Sequence, residues 1–218
     1  MTQQPPVRTY NARHGSVSPL NQNRLESLGP GRAVPPGPLD LEQTFGRRAP
    51  FVLEVGCGHG AAAIAYAVTH PEHDVLALDV HTPGIARMLA AAELAGVPNL
   101  RIERADAMVF LEERVGPSRL DAVHLFFPDP WPKARHAKRR FVSQHALDLL
   151  ETRLAPSGHL LIASDQPDYA AYARKQVEDH GAFVASLAER PDWRPVDGFE
   201  AKALAAGRPV TELRVHRR

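Results

Sequence analysis

FVLEVGCGHGAAAIAYAVTH, residues 51–70, decides the fold. Its first six residues are an apolar run broken by one acid, Glu54, which reads as a strand buried on both faces. Gly56, Gly58 and Gly60 then break the strand, and an alanine-rich run over about 60–69 reads as a helix. A strand that runs through glycines into a helix opens a βαβ unit. The chain beyond it keeps the same alternation. DVLALDV (74–80) is a second strand, followed by a helix from about Pro83 to Ala95. LRIERA (100–105) is a third, with a short helix after Asp106. LDAVHLFF (120–127) is a fourth, and VSQHALDLLETRLA (142–155) reads as helix. GHLLIAS (158–164) is a fifth strand, with a helix from Pro167 to His180. FVASLA (183–188) and TELRVH (211–216) suit a terminal antiparallel pair.

Apolar strands alternating with helices predict a doubly wound, mostly parallel α/β sheet of seven strands, the terminal one antiparallel. There is no internal repeat. The sheet domain spans 51–218. Residues 1–50 form a Pro/Arg-rich N-terminal extension holding eight of the 20 prolines, with PP at 5–6 and VPPGP at 34–38. That composition disfavours regular elements and predicts ordering only against the core or a ligand.

No 18-residue apolar run occurs, and the opening MTQQPPVRTY lacks an apolar signal region. These features predict a cytoplasmic protein with no membrane contact. The single cysteine, Cys57, excludes an intrachain disulfide and a cysteine-based zinc cluster. The net charge of +1 is unevenly spread. Residues 1–50 carry six arginines against three acids, and residues 190–218 carry seven basic residues against four acids. Between them, 51–189 holds 13 basic and 18 acidic residues, and five of the 13 fall in Lys133–Arg140. Positive charge gathered in both termini and one loop suits a polyanionic partner, provided the three converge in space.

In a doubly wound sheet, ligands bind beyond the carboxyl ends of the strands. Five acids stand there: Glu54, Asp79, Asp106, Asp129 and Asp165. Gly56, Gly58 and Gly60 allow close backbone approach to a ligand at the start of the following helix. The same spacing fits G-x-G-x-x-A, so a dinucleotide suits it too. Asp79 can accept from both hydroxyls of a ribose, whether of NAD or of S-adenosylmethionine. Asp106 can reach an adenine amine or cap a helix. The histidines His59, His81, His124 and His136 form no metal-ligand spacing, so no metal is expected, and they read as packing or surface residues.

FFPDPWPKARHAKRR, residues 126–140, favours one cofactor over the other. A carboxylate between prolines, followed by Trp131, has no evident place in hydride transfer but suits a nucleobase. Aspartate accepts from guanine N1–H and its 2-amino group, and an indole can stack on or wall the base. Pro128, Pro130 and Pro132 stiffen the loop. Lys133, Arg135, Lys138, Arg139 and Arg140 are placed to hold phosphates.

These segments together resemble the bacterial tRNA (guanine-N7-)-methyltransferases. LEVGCGHG, LDVHTPGI, RADA, FFPDPWPKARHAKRRF, IASDQPDYA and RPVDGFEAK stand in that family's order and spacing, and VRTYNARHGSVSPLNQ resembles its arginine-bearing N-terminal segment. The resemblance covers nearly the whole chain and implies a Rossmann-like class I methyltransferase fold. It implies methyl transfer from S-adenosylmethionine, yielding S-adenosylhomocysteine, to N7 of guanine 46 in the tRNA variable loop. It implies that Glu54, Asp79, Asp106 and Asp129, with the glycine turn, contact the cofactor, and that Asp129 is catalytic. Lys133, Asp165 and the segment Asp197, Gly198, Phe199 and Glu200 are implied to bind substrate. The implied partner is tRNA alone, with the protein a monomer or homodimer. The chain departs from the family pattern at Asp79 (usually Glu), Gln166 (usually Trp) and Asp197 (usually Thr), with Gly198 beside it. Three other readings stay open: an NAD-dependent oxidoreductase, a tRNA-binding protein of this fold with impaired catalysis, and methylation of another RNA or a small molecule.

Overall fold

A computed structural model describes residues 17–218. The stretch 7–16 of the arginine-bearing segment, and the proline pair at 5–6, lie outside the described residues. The strands are β1 (Phe51–Val55), β2 (Asp74–Asp79), β3 (Leu100–Arg104), β4 (Leu120–Phe126), β5 (Leu154–Ser164), β6 (Phe183–Leu187) and β7 (Thr211–Arg217). They form one sheet in the order β3-β2-β1-β4-β5-β7-β6. β1 to β5 are mutually parallel, and β7 runs antiparallel between β5 and β6. The expected terminal antiparallel pair is therefore present, with the last strand inserted rather than at the edge.

The helices are α1 (Pro19–Leu28), α2 (Leu41–Phe45), α3 (Ala61–Thr69), α4 (Thr82–Ala95), α5 (Ala107–Glu113), α6 (Gln144–Arg153), α7 (Pro167–His180) and α8 (Gly198–Ala205). Two apolar layers cover the sheet. One is built from Phe51, Leu53, Leu76, Val123 and Phe110, and the other from Val52, Val75, Ala77, Tyr66 and Met88. Alternate residues of each central strand feed opposite layers, and both layers are buried, so the strand sequences are almost wholly apolar. β1 is buried along its whole length. The order reverses between β1 and β4, which places the switch point at the ends of those two strands.

Three elements differ from the sequence-based expectation. The proline-rich extension carries α1, a short 3-10 turn (Pro30–Arg32) and α2. Pro19 and Pro30 stand at first helical positions, where a missing N–H costs nothing, and the Ser18 side chain caps α1 by accepting from Asn21. α1 lies against α4, and Arg32 donates to the carbonyls of Ala92 (3.0 Å) and Val97 (2.7 Å) at the end of α4. This part of the extension is thus ordered on the sheet domain. β5 begins at Leu154, where the expected helix would have continued, because Pro156 cannot extend α6 and Leu154 pairs with Leu120. The segment expected to bind substrate opens a helix, α8, for which the sequence pattern gives no expectation. No helix among the described residues is long and apolar enough to cross a membrane.

Candidate active site

The strand order sets the strand-end acids in a row. Along β3-β2-β1-β4-β5 stand Asp106, Asp79, Glu54, Asp129 and Asp165, each on the last residue of its strand or within three beyond, apart from the one-residue retreat of Glu54. Glu54 is buried, and its Oε2 has no hydrogen-bond partner among the described residues. Burial pushes its carboxyl up to about 8, partly offset by the Ala63 backbone N–H and the Arg194 charge. A buried acid with one idle oxygen suits a cationic ligand. Gly56 and Gly58 take left-handed φ of 72° and 58°, and a Cβ on either would meet nothing within 4 Å. The space over the turn is open. At Gly60 the requirement is packing instead, since a Cβ would fall 2.3 Å from Met88 Cγ. These residues fit the nucleoside and amino-acid ends of S-adenosylmethionine.

Asp79 closes this turn. Its Oδ2 accepts from Gly58 N–H and its Oδ1 from His81 N–H, both at 2.7 Å. Each oxygen keeps a second lone pair for a ribose hydroxyl. Asp106 caps α5, its Oδ1 accepting from Met108 (2.8 Å) and Val109 (3.4 Å). Cap and ligand roles are compatible there, because both bonds fall on one oxygen.

The loop after β4 is sharply bent. Phe127 and Trp131 have φ of 50° and 42°, so two aromatic residues in the left-handed region bracket Pro128, Asp129 and Pro130. Such a conformation costs about 1–3 kcal/mol per residue and persists only when neighbours over-determine it. Asp129 is exposed at the apex. Trp131 is buried, with the Arg139 guanidinium 4.9 Å from its ring centroid and His136 against its edge. It therefore braces the loop, and the expected base-stacking face is covered. Arg140 donates to the carbonyls of Pro130 (2.9 Å) and Trp131 (3.3 Å) and lies over Tyr172. Its Nε and Nη2 thus hold the loop. Lys133, Arg135 and Lys138 point to solvent.

The C-terminal segment differs more. Glu200 is buried and paired with Arg190 (2.5 Å) and Arg194 (3.2 Å), and Arg194 also pairs with Glu212. Burial works against charge on Glu200, but the two guanidiniums hold its carboxyl below the usual range. The carboxylate expected to meet substrate is thus taken up in an ion-pair network. Asp197 caps α8, its Oδ1 accepting from Gly198 N–H at 2.6 Å. Aspartate and threonine both serve as N-caps, which accounts for the departure from the family threonine. Gly198 takes φ 53°, and Phe199 is exposed. Asp165 is paired with Arg208 at 2.8 Å. Sequence reasoning assigns no role to Arg190, Arg208 or Arg194, although Arg194 opens the RPVDGFEAK segment. It also missed an aromatic cluster in which Trp193 stacks on buried His124 at 5.2 Å and meets Tyr66 edge-on. Burial lowers His124 to about 3, so it is a neutral packing group, as its place in an apolar strand suggested.

Comparison with known proteins bears on the family and the fold. Residues 48–213 match the family described as "Putative methyltransferase". The tRNA (guanine-N(7)-)-methyltransferase of Nitrosomonas eutropha is 40% identical over 98% of this chain and 97% of its own length. That of Halorhodospira halophila is 40% identical over 98% and 96%. Among solved structures, the 16S rRNA methyltransferase KamB superposes with a TM-score of 0.58 at 18% identity, covering 86% of this chain and 99% of its own, which bears on the fold alone. The oxidoreductase reading is thereby set aside, because identity at this level holds over nearly the full length of both chains: the chain belongs to the tRNA (guanine-N(7)-)-methyltransferase family.

Proposed function

We propose that the protein transfers a methyl group from S-adenosylmethionine to N7 of guanine 46 in the tRNA variable loop, in the cytoplasm, as a monomer or homodimer needing no protein partner. The observation that carries this reading is the row of acids across the switch point, with Asp129 raised on a rigid turn beside exposed cations. When bound, the cofactor supplies an electrophilic methyl on a sulfonium. Guanine N7 has an in-plane lone pair and no proton, so the chain needs no general base. What it must do is align N7 and stabilise the positive charge that develops on the purine. Asp129 is suited to both tasks, as an acceptor for the guanine N1–H and 2-amino edge and as a negative neighbour. Glu54, Asp79 and Asp106 hold the cofactor from the other side of the switch point.

The test is transfer of labelled methyl to tRNA lacking N7-methylguanine, followed by borohydride reduction and aniline cleavage. Cleavage at one variable-loop guanine is expected. Binding of tRNA and cofactor without transfer would overturn the reading and favour a binding-only protein.

The exposed cations give a separate expectation. Replacing Lys133, Arg135 and Lys138 with alanine removes up to three phosphate contacts. The slope of log affinity for tRNA against log salt should fall by about 2–3. Arg140→Ala should leave that slope unchanged and lower turnover instead. Equal slopes for the triple variant and the parent protein would mean that these cations do not meet phosphate.

A further inference from the structure

Arg194, already met in the ion-pair network with Glu200 and Glu212, also reaches the loop that carries Asp129. It lies between β6 and α8 and is 2% exposed. Its Nε and Nη2 donate to the two carboxylate oxygens of Glu200 at 3.2 and 3.3 Å, and its Nη1 donates to Glu212 at 3.0 Å. Its guanidinium carbon lies over two consecutive rings, 4.7 Å from the Phe126 centroid and 5.6 Å from that of Phe127. Phe126 ends β4, and Phe127 is the first of the two left-handed residues that bracket Asp129. Trp131, at the far side, is already braced by Arg139 and Arg140. At the near side, Phe127 donates its backbone N–H to Ala163 (2.8 Å), which fixes its amide but not its ring. The residue before Arg194, Trp193, is seated on His124 and Tyr66 and meets the Phe126 ring at 5.9 Å, which anchors the backbone beside Arg194.

We propose that Arg194 is a positioning residue for methyl transfer: clamped by Glu200 and Glu212, it presses on Phe126 and Phe127 and so fixes the left-handed turn that carries Asp129. This rests on the methyl-transfer reading above. A guanidinium suits the task and an ammonium does not. Only the planar group can present edge donors to two carboxylates while its face covers aromatic rings. The carboxylates cancel its charge, so the buried cation carries no unpaired desolvation cost. The arrangement also explains why Glu200, in a segment resembling a substrate motif, points inward. Its part in catalysis is exercised through Arg194.

Arg194→Lys and Glu212→Gln separate positioning from plain stability. The lysine variant keeps the positive charge but loses the flat face. The glutamine variant weakens the clamp while Glu200 still holds Arg194 on the rings. Amide hydrogen exchange over residues 127–133 of the free protein should quicken about tenfold in Arg194→Lys, with β1 unchanged. Its kcat should fall about tenfold or more while the cofactor KM stays within about threefold. Glu212→Gln, which removes one arm of the clamp, should quicken the same exchange and lower kcat in the same sense, by less than Arg194→Lys. Parental loop exchange in Arg194→Lys would overturn the proposal. So would an Arg194→Lys variant whose β1 exchange quickened as much as that of the loop, which would mark a general loss of stability. If the parent protein transfers no methyl to tRNA, the functional reading fails, while the exchange comparison still decides whether Arg194 holds the turn.

Discussion

Asp129→Asn is expected to lower kcat for tRNA methylation by about 10²–10³, the usual loss when one preorganised electrostatic contact to the reacting group is removed. Cofactor affinity should stay within about threefold. The substitution is nearly isosteric, so the turn between Phe127 and Trp131 keeps its shape. What changes is charge and hydrogen-bonding character. An asparagine offers one oxygen where the carboxylate offers two, and its amide nitrogen would face donor N–H groups of the guanine edge. The transition state loses more than the ground state, because positive charge has begun to reach the purine only there. The effect therefore falls on kcat. Single-turnover kinetics at saturating tRNA, with cofactor binding measured separately by calorimetry, read both quantities. Turnover within a few-fold of the parent protein would remove Asp129 from the reaction, whatever happened to binding.

The two halves of the site were not equally legible in the sequence. The strands and their acids could be read because a parallel sheet imposes a local signature: apolar runs such as FVLEV and DVLALD, each ending in an acid or a glycine turn. Pro128-Asp129-Pro130 was legible for the same reason, since prolines and an adjoining basic run mark a loop without reference to the rest of the fold. Long-range pairing is what hid the remainder. Glu200 and Arg194 are six residues apart on paper, but their meeting depends on Glu212 in β7 and the rings of β4, elements joined only in the folded sheet. Trp131 and Arg140 looked like nucleic-acid contacts because aromatic rings and arginines commonly serve that purpose. In the folded loop the indole is covered by Arg139, and Arg140 is turned onto the carbonyls of Pro130 and Trp131. The helices of the proline-rich segment were hidden by a different cause. Proline at a helix's first position marks a start, but the same residue elsewhere breaks one. Composition alone does not distinguish the two.

Glu54 gives the second large effect, with a sign that can be worked out. Its carboxyl is pushed up to about 8 in the free protein, mainly by burial, against an ordinary value of 4.5 when unfolded. Between these values the folded chain binds a proton that the unfolded chain has released. Stability contributed by this group is therefore present at low pH and is lost as pH rises from about 5 to 8, with a slope of up to about 1.4 kcal/mol per pH unit. Glu54→Gln removes that slope, so its Tm should overtake that of the parent protein as pH approaches 8. Cofactor binding runs in the opposite direction. A cationic ligand beside the idle Oε2 needs the carboxylate, so binding must displace the proton below pH 8. Affinity of the parent protein should tighten by up to about tenfold per pH unit between 6 and 8, then level off. The cofactor's own amine titrates in the same range, which makes the difference between parent and Glu54→Gln the informative quantity. Calorimetry in two buffers of unlike ionisation heat would detect the released proton directly. Equal pH slopes for the two proteins, with no difference in proton release, would mean that Glu54 never faces the cofactor's charge. Its burial would then serve only the packing of β1 against α3.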